Sequence, residues 1–353
     1  MLILVINPGS TSTKIAVYDS STPLLVKSIA HKTQDLAQFV KATDQLAFRK
    51  GLVIDELKKN GIPFNFDAVI GRGGLTKPLS GGVYEVNGQM MNDTMNAEHQ
   101  HACDLGCIIA HEIAKDIPGC RSFIADPGVT DELNDYARVC GSPLMKRICI
   151  WHALNQRAMA RRYAREHNTT YENLNLIICH LGGGISIAAH DHGKAIDVNN
   201  ALDGEGPFSP ERAGSLPAVD LIRLCYSGKY TEDELLKRIA GHAGLTALLG
   251  TNDMIEVNKR IQNGDTEAKF YVDAMVYHIA KNIAAQAAVL YGKVDAIILT
   301  GGMANWEYLT RCIKERVEWL APVHIYPGED ELMALAQNAM AVLTGKVTPL
   351  EYK

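Results

Sequence analysis

Hydroxyl, amide and ammonium groups crowd into one short segment near the start of the chain. Residues 7–14 read Asn-Pro-Gly-Ser-Thr-Ser-Thr-Lys, and Asn7, Ser10, Ser12 and Lys14 supply short polar groups and one positive charge. A transferring phosphoryl group needs such partners, because its charge lies on its oxygen atoms. The alternative is an ordinary hairpin loop with Lys14 at its edge, so this segment alone leaves both readings open.

Two further glycine-rich segments also follow apolar runs. Glycine has no Cβ, so the backbone amides of these segments can approach phosphate oxygens closely. Neither of the common phosphate-binding patterns, G-x-x-x-x-G-K-[ST] or G-x-G-x-x-G opening a helix, is present. A single glycine turn is more often only a tight turn, but three such segments together favour phosphate binding. The residues that carry this prediction are Gly182, Gly183, Gly184, Gly301, Gly302 and Asn305.

Charged and ionisable side chains lie near the same segments. Arg72 lies between two glycines and Arg212 lies two residues before Gly214. Either arginine can hold a carboxylate with two hydrogen bonds or stabilise a transferring phosphoryl group. Asp126 precedes Pro-Gly and is either a turn residue or a ligand of a magnesium–nucleotide complex. His152 and His180 lie at the ends of apolar runs, where a structural role is the commoner alternative to catalysis.

One group of residues has a spacing that resembles a zinc site. His99 and His101 precede Cys103, and Cys107 and His111 follow. The last three residues recur every four positions, which is the spacing of one face of a helix. Structural zinc sites draw paired ligands from two elements, so we favour the helix over the metal.

Composition bounds the kind of protein this can be. A chain of 353 residues is long enough for about two domains, and 47% hydrophobic with 21% charged residues excludes disorder as the main state. A formal net charge of -5 gives no broad attraction for nucleic acid. No apolar run approaches the roughly 20 residues that span a bilayer. Eight cysteines scattered along the chain are typical of reduced thiols in the cytoplasm. Together these observations predict a cytoplasmic enzyme with no nucleic-acid or membrane partner.

The chemistry-bearing segments must be positioned by an alternation of strands and helices. Residues 2–19 read as strand, glycine turn and strand, and residues 174–189 repeat that pattern, which suggests an internal duplication and two lobes. Further strands are predicted at 67–70, 122–125 and 294–299. Helices are predicted at 34–60, 95–116, 151–166, 217–226, 231–240, 266–291 and 331–344.

Taken in order, these motifs resemble the acetate kinase and butyrate kinase group of the acetate and sugar kinase, Hsc70 and actin superfamily. The matching segments are 7–14, 180–186, 210–214 and 328–332, and the resemblance covers essentially the whole chain. It implies an α/β fold with two ribonuclease H-like, actin-like ATPase lobes and a nucleotide cleft between them. The expected lobes are residues 1–155, with a C-terminal helix at 331–353 packing back on them, and residues 156–330.

The resemblance also implies a reaction. It predicts an ATP-dependent kinase for short-chain carboxylates, with ATP or ADP and Mg²⁺ as cofactors, a small-molecule acid as substrate and a homo-oligomeric state. Segment 126–133 is similar to the butyrate branch, so butyrate and ATP are expected to give butyryl phosphate and ADP reversibly. Acetate, propionate or a branched acid is the alternative acceptor. A non-catalytic nucleotide switch like actin or Hsc70 is the more distant alternative.

Roles follow for individual residues by the same resemblance. Those expected to face the transferring phosphate are Asn7, Ser10, Ser12 and Lys14. Those expected to act in catalysis are Arg72, Asp126, His152 and Arg212. Gly182, Gly183 and Gly184 are expected to lie against the phosphates, and Gly301, Gly302 and Asn305 to border the adenosine. Asp126 and Glu331 are the expected metal ligands, with Asp330 as the alternative to Glu331. Gly183 departs from the Asn of acetate kinases, which leaves only backbone contacts there and argues against acetate kinase itself.

Overall fold

The computed structural model describes residues 1–97 and 101–353. Its strands are β1 Leu2–Pro8, β2 Ser12–Asp19, β3 Thr22–Ala30, β4 Ala68–Arg72, β5 Val83–Glu85, β6 Arg121–Ala125, β7 Asn175–Leu181, β8 Ile185–Asp191, β9 Lys194–Val198, β10 Ala296–Gly301 and β11 Val323–Pro327. Its α-helices are α1 Thr33–Leu36, α2 Leu46–Lys59, α3 Gly88–Met95, α4 Leu105–Ala114, α5 Asp135–Arg138, α6 Ala153–Glu166, α7 Ala218–Cys225, α8 Glu232–Ile239, α9 Gly244–Leu249, α10 Met254–Gln262, α11 Thr266–Val289, α12 Glu307–Val317 and α13 Glu331–Leu343.

The chain divides into two units by the density of its contacts. Unit 1 comprises residues 1–130 and 330–353, and unit 2 comprises residues 131–329. The lobe boundary at 155, inferred from the sequence, stays a prediction. Each unit is built on its own mixed sheet with its own apolar core.

The sheet of unit 1 has the strand order β3-β2-β1-β4-β6-β5. The first two pairs are antiparallel, whereas β1–β4 and β4–β6 are parallel. Residues 3–6 of β1 are fully buried, because this apolar strand lies in the middle of the sheet. Helices α4 and α13 both pack against β1 and β4. The end of β1 is therefore held between a parallel neighbour and two helices.

Unit 2 repeats the central arrangement. Its sheet, read from the opposite edge, is β9-β8-β7-β10-β11, and β7–β8 is an antiparallel hairpin like β1–β2. Strand β10 is parallel to β7 as β4 is parallel to β1. This correspondence confirms the predicted repeat of strand, glycine turn and strand. The core includes the buried face of α11, the longest helix among the described residues.

Helix and strand positions agree with most of the sequence-based predictions. The strands expected at 67–70, 122–125 and 294–299 are β4, β6 and β10, displaced by up to two residues. The helices expected at 151–166 and 331–344 are α6 and α13, and the three predicted between 217 and 291 are α7, α8 and α11. Several short or exposed elements were not predicted, namely β3, β5, β9, β11, α3, α5, α9, α10 and α12. No helix among the described residues is long and apolar enough to cross a membrane.

Two predicted helices were wrong in their extent. The segment 34–60 contains α1, a 3₁₀ turn at Ala42–Gln45 and then α2, because Val40 is 95% exposed and does not extend the buried stripe. The helix predicted at 95–116 is also divided. Helix α3 ends at Met95, and helical structure resumes at Ala102–Asp104, where a carboxylate oxygen of Asp104 accepts from the backbone N–H of His101 at 2.6 Å.

Candidate active site

Three of the predicted residues meet at the carboxyl ends of two central strands of the unit 1 sheet. Asn7 lies near the end of β1, Arg72 ends the parallel neighbour β4, and Glu331 begins α13. The Asn7 side-chain amide donates to Oε2 of Glu331 at 2.7 Å, and Nη1 of Arg72 donates to the same oxygen at 3.1 Å. Glu331 is only 8% exposed and Asn7 5% exposed. The structure thus builds a buried carboxylate held by an amide and a guanidinium.

The two acidic residues at the start of α13 have different environments. Asp330 is the N-cap, and its Oδ1 accepts from the backbone N–H of Met333 at 3.2 Å. Glu331 instead contacts Asn7 and Arg72, as described above. Capping is a sufficient structural role for Asp330. Of the two acids, Glu331 contacts two predicted site residues, whereas Asp330 caps the helix.

The β1–β2 turn is shorter than the sequence predicted. Asn7 pairs with Lys14 within the hairpin, so residues 9–11 alone lie outside the two strands. Ser10 and Lys14 are exposed, and Ser12 is partly exposed. Within residues 1–97 and 101–353, Lys14 has no ion-pair partner. The structure leaves its ammonium on the surface of the hairpin.

A residue that the sequence analysis missed holds this turn from beneath. Arg49 of α2 is 0% exposed, and its guanidinium donates to the carbonyl oxygens of Gly9 at 2.8 Å, Ser10 at 3.2 Å and Ser12 at 3.2 Å. It also donates to Thr13 Oγ1 at 3.1 Å. Burial lowers the pKa of Arg49 from its ordinary value. The positive charge thus lies directly behind the turn.

The orientation of the turn's carbonyls decides where its amides point. In a trans peptide the N–H lies opposite the C=O, so carbonyls of Gly9 and Ser10 that face Arg49 turn the N–H groups of Ser10 and Thr11 away from it. Neither of these amides has a hydrogen-bond partner among the described residues. Adjacent outward-facing amides backed by a buried cation form a site suited to an anion.

Asp126 lies immediately after β6 and is 1% exposed. Its φ of 39° is in the left-handed region, and its Oδ1 accepts from the backbone N–H of Gly82 at 2.9 Å. The backbone N–H of Asp126 in turn donates to the Gly82 carbonyl at 2.9 Å. These two hydrogen bonds hold the Asp126 carboxylate in place and stabilise a backbone conformation that non-glycine residues rarely adopt.

In unit 2, the glycine turn between β7 and β8 packs against Arg212. A Cβ added at Gly184 would lie 1.9 Å from Nη1 of Arg212, so only glycine admits the guanidinium there. A Cβ at Gly183 would meet the Glu211 carboxylate at 3.1 Å. The guanidinium of Arg212 donates to the carbonyl of Ala201. Burial lowers the pKa of Arg212, and the nearby carboxylates of Glu211 and Asp203 partly offset that effect.

The same turn adjoins two stacked imidazole rings. His152, the N-cap residue of α6, stacks on His180 with ring centroids 3.7 Å apart and planes 5° from parallel. Nδ1 of His152 is 2.9 Å from Ser186 Oγ. His180 Nε2 lies 3.0 Å from Glu329 Oε1, and a Cβ at Gly182 would meet the same nitrogen at 3.1 Å. His152, His180 and the glycine turn therefore form one cluster.

The third glycine segment follows β10. Gly301 has a φ of 90°, and a Cβ there would lie 2.4 Å from the carbonyl oxygen of Leu181. The side-chain amide of Asn305 donates to the Gly302 carbonyl at 3.0 Å. Gly302 and Asn305 are both exposed, so this turn presents backbone and an amide on the surface of unit 2.

The described residues of the segment with zinc-like spacing are not arranged as a metal site. His99 lies outside the described residues. Cys103 and Asp104 belong to the 3₁₀ turn before α4, whereas Cys107 and His111 lie on α4 itself. Among the described residues, no cluster of three His, Cys, Asp or Glu side chains is arranged to hold a metal ion.

Comparison with known proteins defines the class first through the fold. The crystal structure of the Porphyromonas gingivalis acetate kinase superposes with a TM-score of 0.79 at 20% identity, covering 97% of this chain and 99% of that one. At that identity the likeness shows the fold alone, which is the two-lobed α/β fold of acetate kinases and actin-like ATPases.

Sequence similarity then gives the family. The pattern of the acetokinase family matches residues 147–329. A "Probable butyrate kinase" of Bacteroides thetaiotaomicron is 61% identical over 353 residues, which is 100% of both chains. "Butyrate kinase 2" of Clostridium acetobutylicum is 50% identical, covering 99% of each chain. The chain belongs to the acetokinase family.

Proposed function

We propose that this protein is an ATP-dependent butyrate kinase. It transfers the γ-phosphoryl group of ATP to the carboxylate of butyrate and yields butyryl phosphate and ADP, and the reaction is reversible. The observation that carries the proposal is the 61% identity over the whole chain to a protein described as a butyrate kinase. Phosphorylation of acetate, propionate or a branched acid is the alternative, and a structure described as a propionate kinase, from Francisella tularensis, shares the fold with a TM-score of 0.77.

The chemistry of the acceptor fits the residues of the site. A carboxylic acid with a pKa near that of Asp or Glu is already ionised at pH 7, so it needs no base to remove a proton. Its difficulty is repulsion from the phosphates, which positive groups reduce. We assign this role to Arg72 and Arg212, and we assign to His152 a hydrogen bond to the charge that develops on the phosphoryl group.

Nucleotide binding is assigned to the three glycine segments and the neighbouring polar residues. The outward-facing amides of Ser10 and Thr11, with Arg49 behind them, support a phosphate site at the first turn. Asn7, Ser12 and Lys14 add polar groups there. The backbone of 182–184 serves the phosphates, and Gly301, Gly302 and Asn305 serve the adenosine.

The acidic side chains at the carboxyl ends of the unit 1 strands and the start of α13 fit Mg²⁺. This ion prefers carboxylate oxygens and retains water and phosphate ligands. Oε2 of Glu331 accepts two hydrogen bonds, whereas Oε1 has no hydrogen-bond partner among the described residues. We propose that Glu331, with Asp126, holds the ion. Bound Mg²⁺ would supply charge neutralisation of the phosphates.

The reaction class is tested by trapping the product. Purified protein is incubated with ATP, Mg²⁺, butyrate and hydroxylamine, and butyryl hydroxamate is measured. An activated acyl group such as an acyl phosphate reacts in this way, so we expect hydroxamate formation that requires both ATP and butyrate, with ADP rather than AMP as the second product. ATP hydrolysis without hydroxamate would favour the nucleotide switch, and no activity with any acid would sink the proposal.

We further propose a cytoplasmic homo-oligomer that binds neither nucleic acid nor membrane. The scatter of eight free cysteines along the chain supports the location. Light scattering on the purified protein tests the assembly, since a mass near 38.6 kDa would identify a monomer and contradict it.

A further inference from the structure

Ser186, on β8, lies next to His152 and is fully buried. Its hydroxyl contacts three groups: Nε2 of Gln156 at 2.9 Å, the backbone nitrogen of His152 at 3.4 Å and Nδ1 of the His152 ring at 2.9 Å. The first two are N–H donors. The third accepts or donates according to where the ring carries its proton.

A neighbouring carbonyl fixes the orientation of the Gln156 amide. Nε2 of Gln156 also lies 3.1 Å from the carbonyl oxygen of Ser186, which can only accept, so the NH₂ group must face Ser186. Oε1 of Gln156 then accepts from Nε2 of His190 at 3.0 Å. His190 Nδ1 accepts from the Tyr171 hydroxyl at 2.6 Å. Burial lowers the pKa of His190 to about 3, in keeping with one ring proton.

The donor and acceptor directions in this hydrogen-bond chain leave one acceptor for the hydroxyl hydrogen of Ser186. A hydroxyl has one hydrogen and two lone pairs, and two N–H donors already point at this oxygen. Among the described residues, Nδ1 of His152 is the one remaining group within hydrogen-bond distance of it. We propose that Ser186 donates to Nδ1 of His152 and thereby holds the ring proton on Nε2.

The consequence concerns how His152 acts, and it rests on the proposed function. A neutral imidazole with its proton on Nε2 donates a hydrogen bond from that atom, as the assigned role of His152 requires. Stacking on His180 fixes the ring plane, and Ser186 fixes the tautomer. Ser186 and Gln156 are therefore positioning residues, because they act through His152.

Nuclear magnetic resonance of the full chain with ¹⁵N-labelled histidine reads the tautomer directly. The His152 signals are assigned by their loss in His152→Gln. We expect the Nε2–H pattern in the wild type and a mixture with Nδ1–H in Ser186→Ala. The kcat of Ser186→Ala should fall about tenfold or more, with KM for ATP changing less than about twofold. Ser186→Thr keeps a hydroxyl and should restore the Nε2–H pattern.

Tyr171→Phe is the matched control, since it also removes one buried hydroxyl from the same chain of hydrogen bonds. It should leave the His152 tautomer unchanged, because the Ser186 carbonyl fixes the Gln156 amide. A wild-type Nδ1–H pattern, an unaltered tautomer in Ser186→Ala, or an altered one in Tyr171→Phe would each overturn the proposal. The spectra need no substrate, so a wild type that makes no acyl phosphate would contradict the proposed function alone.

Discussion

Asn7 and Glu331 are 324 positions apart in the chain, yet the side-chain amide of Asn7 donates a 2.7 Å hydrogen bond to Oε2 of Glu331. Arg72 donates to the same oxygen, so the ends of β1 and β4 and the first residue of α13 meet at one carboxylate. In the sequence these residues lie in three separate segments. The fold of unit 1 makes them one set of contacts.

That carboxylate gives a test that separates two adjacent acids. Glu331→Gln removes the charge that pairs with Arg72, and we expect kcat/KM to fall about 100-fold with a higher Mg²⁺ requirement. Asp330→Asn, the control, should cost at most about 1 kcal/mol of stability, since asparagine also caps helices, and leave kcat/KM within a few-fold. Initial rates over a Mg²⁺ series and urea melts measure both. A greater loss in Asp330→Asn would reverse the assignment.

A methyl group should test the packing of Arg212 on the glycine turn. Gly184→Ala places a Cβ where Nη1 of Arg212 lies, so the guanidinium must move. We expect kcat to fall at least ~100-fold, as for Arg212→Ala, which removes about 3 kcal/mol of electrostatic stabilisation. Gly141→Ala is the control, because a Cβ there meets nothing within 4 Å and the residue has no assigned role in binding. Equal kcat values for Gly184→Ala and wild type would show that turnover does not depend on this position of the Arg212 guanidinium.

Loss of the buried arginine should weaken the first turn. Arg49→Met leaves the carbonyls of Gly9, Ser10 and Ser12 without their donor, and we expect the free energy of unfolding to fall by roughly 2–4 kcal/mol. KM for ATP should rise, because the turn's amides lose their fixed orientation. Lys50→Met removes the neighbouring cation, whose ion pair with Glu112 is partly exposed and should matter by less than about 1 kcal/mol. Indistinguishable urea midpoints for the two variants would contradict this role.

Acid should destabilise the protein through His190. The unfolded chain binds a proton on this residue near its ordinary pKa of 6.5, whereas burial holds the folded pKa near 3. Between these values the unfolded state carries more protons, so the free energy of unfolding falls as the pH falls, by up to about 1.4 kcal/mol per pH unit. His190→Gln should show a shallower decline in urea unfolding between pH 7 and 5. Parallel declines in both proteins would show that His190 is protonated in the fold.

Much of the architecture could be predicted because apolar periodicity reflects burial. The strands before each glycine turn were predicted from apolar runs such as residues 2–6, which lie in the centre of a sheet. The last helix was predicted from apolar residues at helical spacing. Strand β3 could not be found in this way, since it is an edge strand with Leu24 and Val26 exposed. The interruption at 37–41 was missed because Val40 is apolar but faces solvent.

The site was predictable in its residue types and less so in its contacts. Arg49 had a signal that the sequence analysis passed over: with Val53 and Leu57 it recurs every four residues, so it lies on the buried face of α2. No signal in the sequence indicated the hydrogen-bond chain behind His152. Gln156 and His190 lie on different elements, and only the structure shows that they share an amide contact.

The most direct test of the central claim is a series of kcat/KM values over linear C2 to C5 acids with ATP and Mg²⁺. One methylene in an apolar pocket is worth about 1–3 kcal/mol, or roughly 10- to 200-fold. A butyrate kinase should show its highest kcat/KM with the C4 acid, at least about tenfold above acetate. A maximum at acetate or propionate would contradict the account, even with every acyl phosphate formed.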